Sequence, residues 1–152
     1  MEPSDLVADG DAARLAAARQ ASGRDIGELA ALLDISYEAY RDLESFDSEA
    51  VDCLSYDQLN TLADAIGLDL RRFFGAEGLT GVTFAELAAR LHAIAGEPAS
   101  IAALEEEAGW EFRQHLDDPH TFGELPAIAL AEIGAQVGVD WRSLLPPGGH
   151  QT

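Results

Sequence analysis

The sequence predicts an all-α fold made of two tandem units, and three observations lead to this prediction. Helix-capping motifs recur along the chain, apolar residues return at helical spacing between them, and the second half repeats the pattern of the first. No segment shows a convincing strand pattern. The predicted helices form two sets of five, at 11–22, 25–33, 36–44, 55–66 and 69–74, then at 83–95, 99–108, 110–117, 125–137 and 140–145.

The limits of these helices follow from residues that satisfy the free backbone groups at helix ends. Three segments place an N-cap oxygen three residues ahead of a Glu or Gln, the signature of a capping box: Asp25 to Glu28, Ser55 to Gln58, and Thr83 to Glu86. Four glycines follow apolar-periodic runs, where a left-handed C-cap is expected: Gly23, Gly67, Gly96 and Gly138.

The two halves of the chain also align with each other. The segment from Leu54 to Phe74 can be laid without a gap over the segment from Leu125 to Leu145, at an offset of 71. This alignment pairs Gly67 with Gly138, Asp69 with Asp140, and Arg71 with Arg142. Upstream of these segments the equivalent residues are 72 positions apart, because the loop that joins the upstream and downstream segments is one residue shorter in the second half. Self-similarity at a fixed spacing indicates a duplication.

The duplication suggests how the chain is divided. We predict a flexible N-terminus at 1–10, a first domain at 11–75, a linker at 76–82, a second domain at 83–146 and a tail at 147–152.

Within the first domain, two predicted helices are separated by a short turn. The segment from Ile26 to Glu44, followed after a loop by 62–74, resembles the helix-turn-helix domain of the Cro and phage-repressor (XRE) family over about residues 14–75. Ile35 fills the turn, and Tyr40 with Leu43 forms the inward face of the third helix. The resemblance implies a five-helix, lambda-repressor-like unit, and the second domain looks like a degenerate copy of it.

Each of the two domains departs from the family pattern at one place. Asp34 stands where the family usually has glycine, and Asp tolerates the left-handed conformation better than most residues. In the second domain Trp110 lies near the place of Ile35, and the run 105–107 puts glutamates where apolar residues are expected. We read this run as a solvated helix face.

In this family the third helix normally enters the major groove of DNA. The resemblance therefore implies that the exposed residues around this helix contact DNA or a partner. These candidate binding residues are Arg24, Ser36, Tyr37, Glu38, Arg41 and Asp42. In the second domain the matching surface carries Glu111, Asp117 and Asp118, with Arg113 as its one cation.

The charge of the chain bears on the choice between these partners. The sequence has 28 acidic residues and nine arginines but no lysine, which gives a net charge of −19. Such a chain repels phosphate backbones and attracts basic partners at long range. The acidity also fits a GC-rich genome, a need for solubility or a saline cytoplasm, and the sequence leaves these open.

We therefore predict a cytoplasmic regulator that is not an enzyme and acts mainly through protein contacts, as an adaptor, an antitoxin-like protein or an inhibitor of a basic partner. The alternative is an XRE-family transcriptional regulator that binds DNA directly as a dimer through the helix at 36–44. A dimer would double a small patch of Arg19, Arg24 and Arg41. The sequence leaves a homodimer open and predicts no membrane span.

No pattern in the sequence indicates catalysis, a cofactor or a metal. The segment from His115 to His120 is the one cluster with metal-ligand side chains, and we interpret it as a polar turn. We place Cys53 and His92 in or near the core. Among the aromatic residues, Tyr40 and Trp141 are assigned to the core, while Tyr37 and Phe112 stay open between core and surface.

Overall fold

The computed structural model describes residues 10–96 and 98–146, without the side chains of residues 98 and 99, and it confirms the all-α fold class within these ranges. The first half (11–75) contains α1 (Asp11–Ser22), α2 (Ile26–Leu33), α3 (Tyr37–Leu43), α4 (Glu49–Cys53), α5 (Tyr56–Ile66) and α6 (Leu70–Phe73). The second half (83–146) contains α7 (Phe84–Ala95), α8 (Pro98–Ala108), α9 (Arg113–Asp117), a first 3₁₀ helix (Pro119–Glu124), α10 (Ala127–Ala135) and a second 3₁₀ helix (Trp141–Leu144). None of the helices in the described ranges is long and apolar enough to cross a membrane.

Two of the predictions concern the ends of the chain. The tail at 147–152 and the predicted flexible N-terminus, apart from Gly10, lie outside the described residues.

Two elements were not predicted, and they occupy equivalent places in the two halves. Helix α4 and the first 3₁₀ helix each lie between the third and fourth predicted helices of their half. The start of α4 is held by distant residues: the carboxylate of Asp11 accepts from the backbone N–H of Ser48 at 3.0 Å, and that of Asp47 accepts from Ala12 at 3.1 Å. The 3₁₀ helix begins at Pro119, whose ring fixes a helical φ.

Two of the three predicted capping boxes form completely, and the third, from Asp25 to Glu28, forms in its first half. Ser55 and Thr83 each make a complete capping box with the Gln or Glu three residues later, and the Asp25 side chain accepts from the Glu28 backbone N–H. The four predicted C-cap glycines all have a positive φ, between 70° and 80°, and three of them end a helix. The prediction for Gly138 was wrong, because α10 ends at Ala135 and its C-cap is Gln136. Asp34 adopts the left-handed conformation at φ 60°, so a non-glycine residue ends α2 there.

The apolar side chains form two cores, one in each half, that share residues at their boundary. The first core gathers residues such as Leu29, Tyr40 and Leu62, and the second gathers residues such as Phe122 and Ile133. Two residues from the second half complete the first core, namely Ala127 and Leu145. Two partly buried aromatic residues pack against both cores, namely Tyr56 and Trp141. The halves therefore share apolar surface.

Contacts between the halves repeat themselves with the halves exchanged. The backbone N–H of Tyr56 donates to the carbonyl of Leu125 at 3.0 Å, and Ala127, the equivalent of Tyr56, donates to Leu54, the equivalent of Leu125, also at 3.0 Å. Helix α4 packs on α10, and its counterpart, the first 3₁₀ helix, packs on α5, the counterpart of α10. Equivalent surfaces therefore meet, as they do in a two-fold symmetric dimer.

The arginine pair found by the alignment follows the same rule. The Nε of Arg71 donates to the carbonyl of Leu145 at 3.1 Å, and the Nη1 of Arg142 donates to that of Phe74 at 2.8 Å. Leu145 and Phe74 are themselves equivalent at the offset of 71. We call this set of paired contacts the reciprocal interface; it supports the predicted duplication.

Candidate functional site

The segment from α2 to α3 presents the candidate residues that the sequence indicated. The Ser36 Oγ accepts from the backbone N–H of Ala39 at 3.0 Å and so fixes the start of α3. Tyr40 and Leu43, with 0% and 2% of their surface exposed, hold the opposite side of α3 in the first core, as predicted. This anchoring turns the start of α3 toward solvent.

The exposed side of this segment combines apolar surface with charge. Tyr37 is 50% exposed, and Glu38 and Arg41 are exposed as well. Leu32, near the end of α2, is 48% exposed, whereas Leu33 beside it is buried. Of the other candidates, Ser36 is exposed while Arg24 and Asp42 are half-buried. We define the α2–α3 face as Leu32, Asp34, Ser36, Tyr37, Glu38 and Arg41.

Most arginines are engaged within the protein. Five form ion pairs: Arg19 with Glu44, Arg24 with Glu28, Arg72 with Glu77, Arg113 with Glu105, and Arg142 with Asp140. Arg71 is buried against backbone carbonyls, and Arg14 lies over the Phe73 ring with its guanidinium carbon 4.5 Å from the centroid. Within residues 10–96 and 98–146, Arg41 and Arg90 have no carboxylate partner.

Two of these ion pairs involve the patch of Arg19, Arg24 and Arg41, of which a DNA-binding dimer would present two copies. Arg19 donates from Nε to Glu44 at 2.6 Å, and this hydrogen bond raises the pKa of Arg19. Arg24 pairs with Glu28 at 3.1 Å. Each of these arginines would have to give up a carboxylate before it could neutralise a phosphate, so Arg41 is the member of the patch without that cost.

The corresponding segment of the second half differs from the prediction at Glu105 and at the start of α9. Glu105, predicted on a solvated face, is half-buried, since its carboxylate accepts from the backbone N–H groups of Phe112 at 2.8 Å and Arg113 at 2.9 Å. It therefore caps the start of α9, which explains why this helix begins at Arg113 rather than at 110. Phe112 is fully buried in the second core and is not available to a partner.

Two residues that we placed in or near the core lie on the surface. Cys53 is exposed at the end of α4, and its Sγ lies 3.1 Å from a carboxylate oxygen of Glu49. His92 is exposed on α7. The prediction for Cys53 was wrong because a small side chain of low polarity is not buried for that reason alone. The prediction for His92 was wrong because helical spacing alone does not show which face of α7 meets the core.

The histidine cluster forms a structural network. His115 is 2% exposed; its Nδ1 lies 2.6 Å from the Thr121 Oγ1 and its Nε2 lies 3.3 Å from the Gln114 amide nitrogen. Thr121 donates its own proton to the carbonyl of Asp118, so it accepts from the Nδ1–H of a neutral imidazole. In the part of the chain that the structure describes, no group of three or more His, Cys, Asp or Glu residues is placed to hold a metal.

This network predicts a pH dependence of stability. Burial lowers the pKa of His115 below its ordinary value, so the fold favours the neutral ring. Its contribution to the free energy of unfolding is complete above the unfolded-state pKa of about 6.5 and is lost as the pH falls below that value. We expect the wild type to lose stability relative to His115→Gln between pH 7.5 and 5.5, measured by urea unfolding.

The matched control for this experiment is the exposed histidine of α7. The unfolding free energy of His92→Gln, which removes an exposed ring from the same half, is measured over the same pH range, and its difference from the wild type is subtracted. A difference for His115→Gln that stays constant over this range would show that its ring does not titrate with folding.

Comparison of the chain with protein-family models, with curated proteins and with solved structures finds no match.

Proposed function

We propose that this protein is an acidic helix-turn-helix regulator that binds a basic protein partner through the α2–α3 face. One observation carries the proposal: two of the three arginines that a DNA-binding face would need, Arg19 and Arg24, are held in ion pairs, whereas Leu32, Tyr37 and the carboxylates beside them are exposed. The resemblance of residues 14–75 to the XRE family supports the helix-turn-helix assignment of this segment.

The chemistry of the face suits a protein more than a nucleic acid. Exposed tyrosine and leucine side chains bury apolar area and act as anchors at protein interfaces. The neighbouring carboxylates of Asp34 and Glu38 would repel phosphates but complement arginine and lysine side chains. A partner with a basic patch around an apolar centre fits both features.

Direct DNA binding is the second candidate, and Arg41 is the observation in its favour. Its guanidinium is exposed on α3 and has no carboxylate partner within the described ranges. Specific complexes commonly neutralise about 6–10 phosphates, and a dimer would bring only two copies of Arg41 without breaking ion pairs. The proposal therefore ranks DNA second.

A pair of binding measurements separates the two candidates. We expect Tyr37→Ala to weaken binding of a basic partner by about tenfold or more, since an exposed aromatic at the centre of an interface contributes strongly. Phe46→Ala is the matched control, because Phe46 is 58% exposed but lies outside the α2–α3 face. Binding is measured by titration calorimetry with the partner captured from the source cell and then purified.

The second measurement is a mobility shift with genomic DNA fragments at low salt. We expect no nanomolar binding. A nanomolar shift that weakens with salt and disappears in Arg41→Ala would overturn the proposal in favour of operator recognition.

A further inference from the structure

The second half carries a cleft at the place that corresponds to the α2–α3 face. By chain order and by the alignment, α8 and α9 are the counterparts of α2 and α3. The cleft has a volume of about 490 Å³ and lies at the end of α8 and in the turn that follows it. Its lining residues are Ala102, Glu105, Glu106, Gly109, Trp110 and Glu111.

One wall of this cleft is apolar and is held in place by the core. Trp110 is half-buried and packs against the second core, so its indole is fixed while part of it still faces the cleft. Gly109, at φ 83°, lets the backbone turn directly after α8. The site therefore offers a partly exposed aromatic ring.

The other walls are acidic, and their carboxylates differ in whether they already have a partner inside the protein. The Glu105 carboxylate has partners, since it caps α9 and pairs with Arg113. Glu106 and Glu111 are exposed and have no cationic partner among the described residues. Two unneutralised carboxylates thus stand beside an indole ring.

This combination matches the chemistry of an arginine side chain. A guanidinium is planar, stacks on an aromatic face and donates hydrogen bonds to carboxylates in its own plane. A phosphate or a carboxylate ligand would be repelled by the same walls. Lysine would keep the charge attraction but would lose the stacking and the planar donor geometry.

We propose that the Trp110 cleft binds an arginine side chain of the basic partner. This inference rests on the proposed function, because it assumes a partner with a basic surface. Together with the α2–α3 face, the cleft gives one chain two different binding faces, one on each half.

The test uses the full chain and a synthetic nine-residue arginine peptide, followed through the indole N–H resonances of the two tryptophans, which Trp141→Phe assigns. We expect the Trp110 resonance to shift and saturate, and a nine-residue lysine peptide to bind several-fold more weakly. Glu106→Gln and Glu111→Gln should each weaken the arginine peptide by about three- to tenfold. Glu107→Gln is the matched control, because it removes one charge from the same exposed run but does not line the cleft.

Two outcomes would overturn the inference. The first is a Trp110 resonance that does not move when the peptide binds. The second is a loss of affinity in Glu107→Gln equal to that in Glu106→Gln, which would mean that only the diffuse charge of the chain attracts the peptide. If the Trp110 resonance does not move while Tyr37→Ala still weakens binding of the purified partner, the inference about the cleft is wrong and the proposed function is retained. If the Trp110 resonance shifts while Tyr37→Ala has no effect on partner binding, the proposal for the α2–α3 face is wrong instead.

Discussion

Replacement of Arg71 by Ala is expected to lower the free energy of unfolding by about 3–5 kcal/mol. The Arg71 guanidinium is 7% exposed and donates to three carbonyls, those of Leu79 at 2.7 Å, Ser143 at 2.9 Å and Leu145 at 3.1 Å. These bonds tie the linker and the end of the second half to α6. Without them, two buried carbonyls and one half-buried carbonyl lose a charged donor at once. Urea unfolding measures the change, and the melting temperature should fall by roughly 10 °C.

Two further variants make this expectation specific. Arg71→Lys should recover less than half of the loss, since one ammonium group cannot reach three carbonyls that a planar guanidinium spans. Arg72→Ala is the matched control: this neighbour is 75% exposed and pairs only with Glu77, so its removal should cost less than about 1 kcal/mol. Equal losses at 71 and 72 would contradict the role assigned to the buried arginine.

Phe122→Ala is expected to have an effect of similar size, about 3–5 kcal/mol, on the second core. Phe122 is 0% exposed, and its ring centroid lies 5.9 Å from that of Phe84 and 5.3 Å from that of His115. Truncation removes the ring that fills the space between the first 3₁₀ helix and α7, which leaves a cavity that the helices cannot close completely.

The expected loss for Phe122 is checked against an exposed aromatic. Phe46→Ala, at a residue that is 58% exposed, should change the unfolding free energy by less than about 0.5 kcal/mol. Phe122→Leu should lose less than Phe122→Ala, because leucine fills part of the volume. If Phe122→Ala were as mild as Phe46→Ala, the first 3₁₀ helix would not be part of the core.

Those elements that depend on local interactions are the ones that the sequence predicts well. The capping boxes at Ser55 and Thr83 satisfy helix ends with residues three positions away, so their pattern is visible in the sequence. The inward placement of Tyr40 and Leu43 follows from helical spacing in the same way. The candidate residues from Ser36 to Arg41 are therefore found where the spacing puts them.

Features that depend on distant residues could not be predicted. The start of α4 is held by bonds between distant residues, since Ser48 donates to Asp11, 37 positions away, and Asp47 accepts from Ala12, 35 positions away; nothing within its own five residues marks α4 as a helix. The role of Arg71 depends on carbonyls up to 74 positions away. The alignment did pair Arg71 with Arg142, but an aligned arginine does not reveal which carbonyls it will reach.

The candidate site was only partly predictable for the same reason. Either Leu32 or Leu33 fits a core position of α2, and only the packed structure shows that Leu33 is buried and Leu32 is 48% exposed. Glu105, which lines the Trp110 cleft, caps α9 from seven positions earlier in the chain than Phe112. A capping box joins residues three positions apart, so this contact was not visible in the sequence.

The reciprocal interface joins two halves of one polypeptide rather than two separate chains. A dimer of separate chains falls apart when its concentration drops below the dissociation constant, whereas two halves on one polypeptide stay together at any concentration. A change in one half is also not copied into the other, as it would be in two identical subunits. Substitutions around Tyr37 and substitutions around Trp110 can therefore occur independently of each other, while the residues of the reciprocal interface are kept.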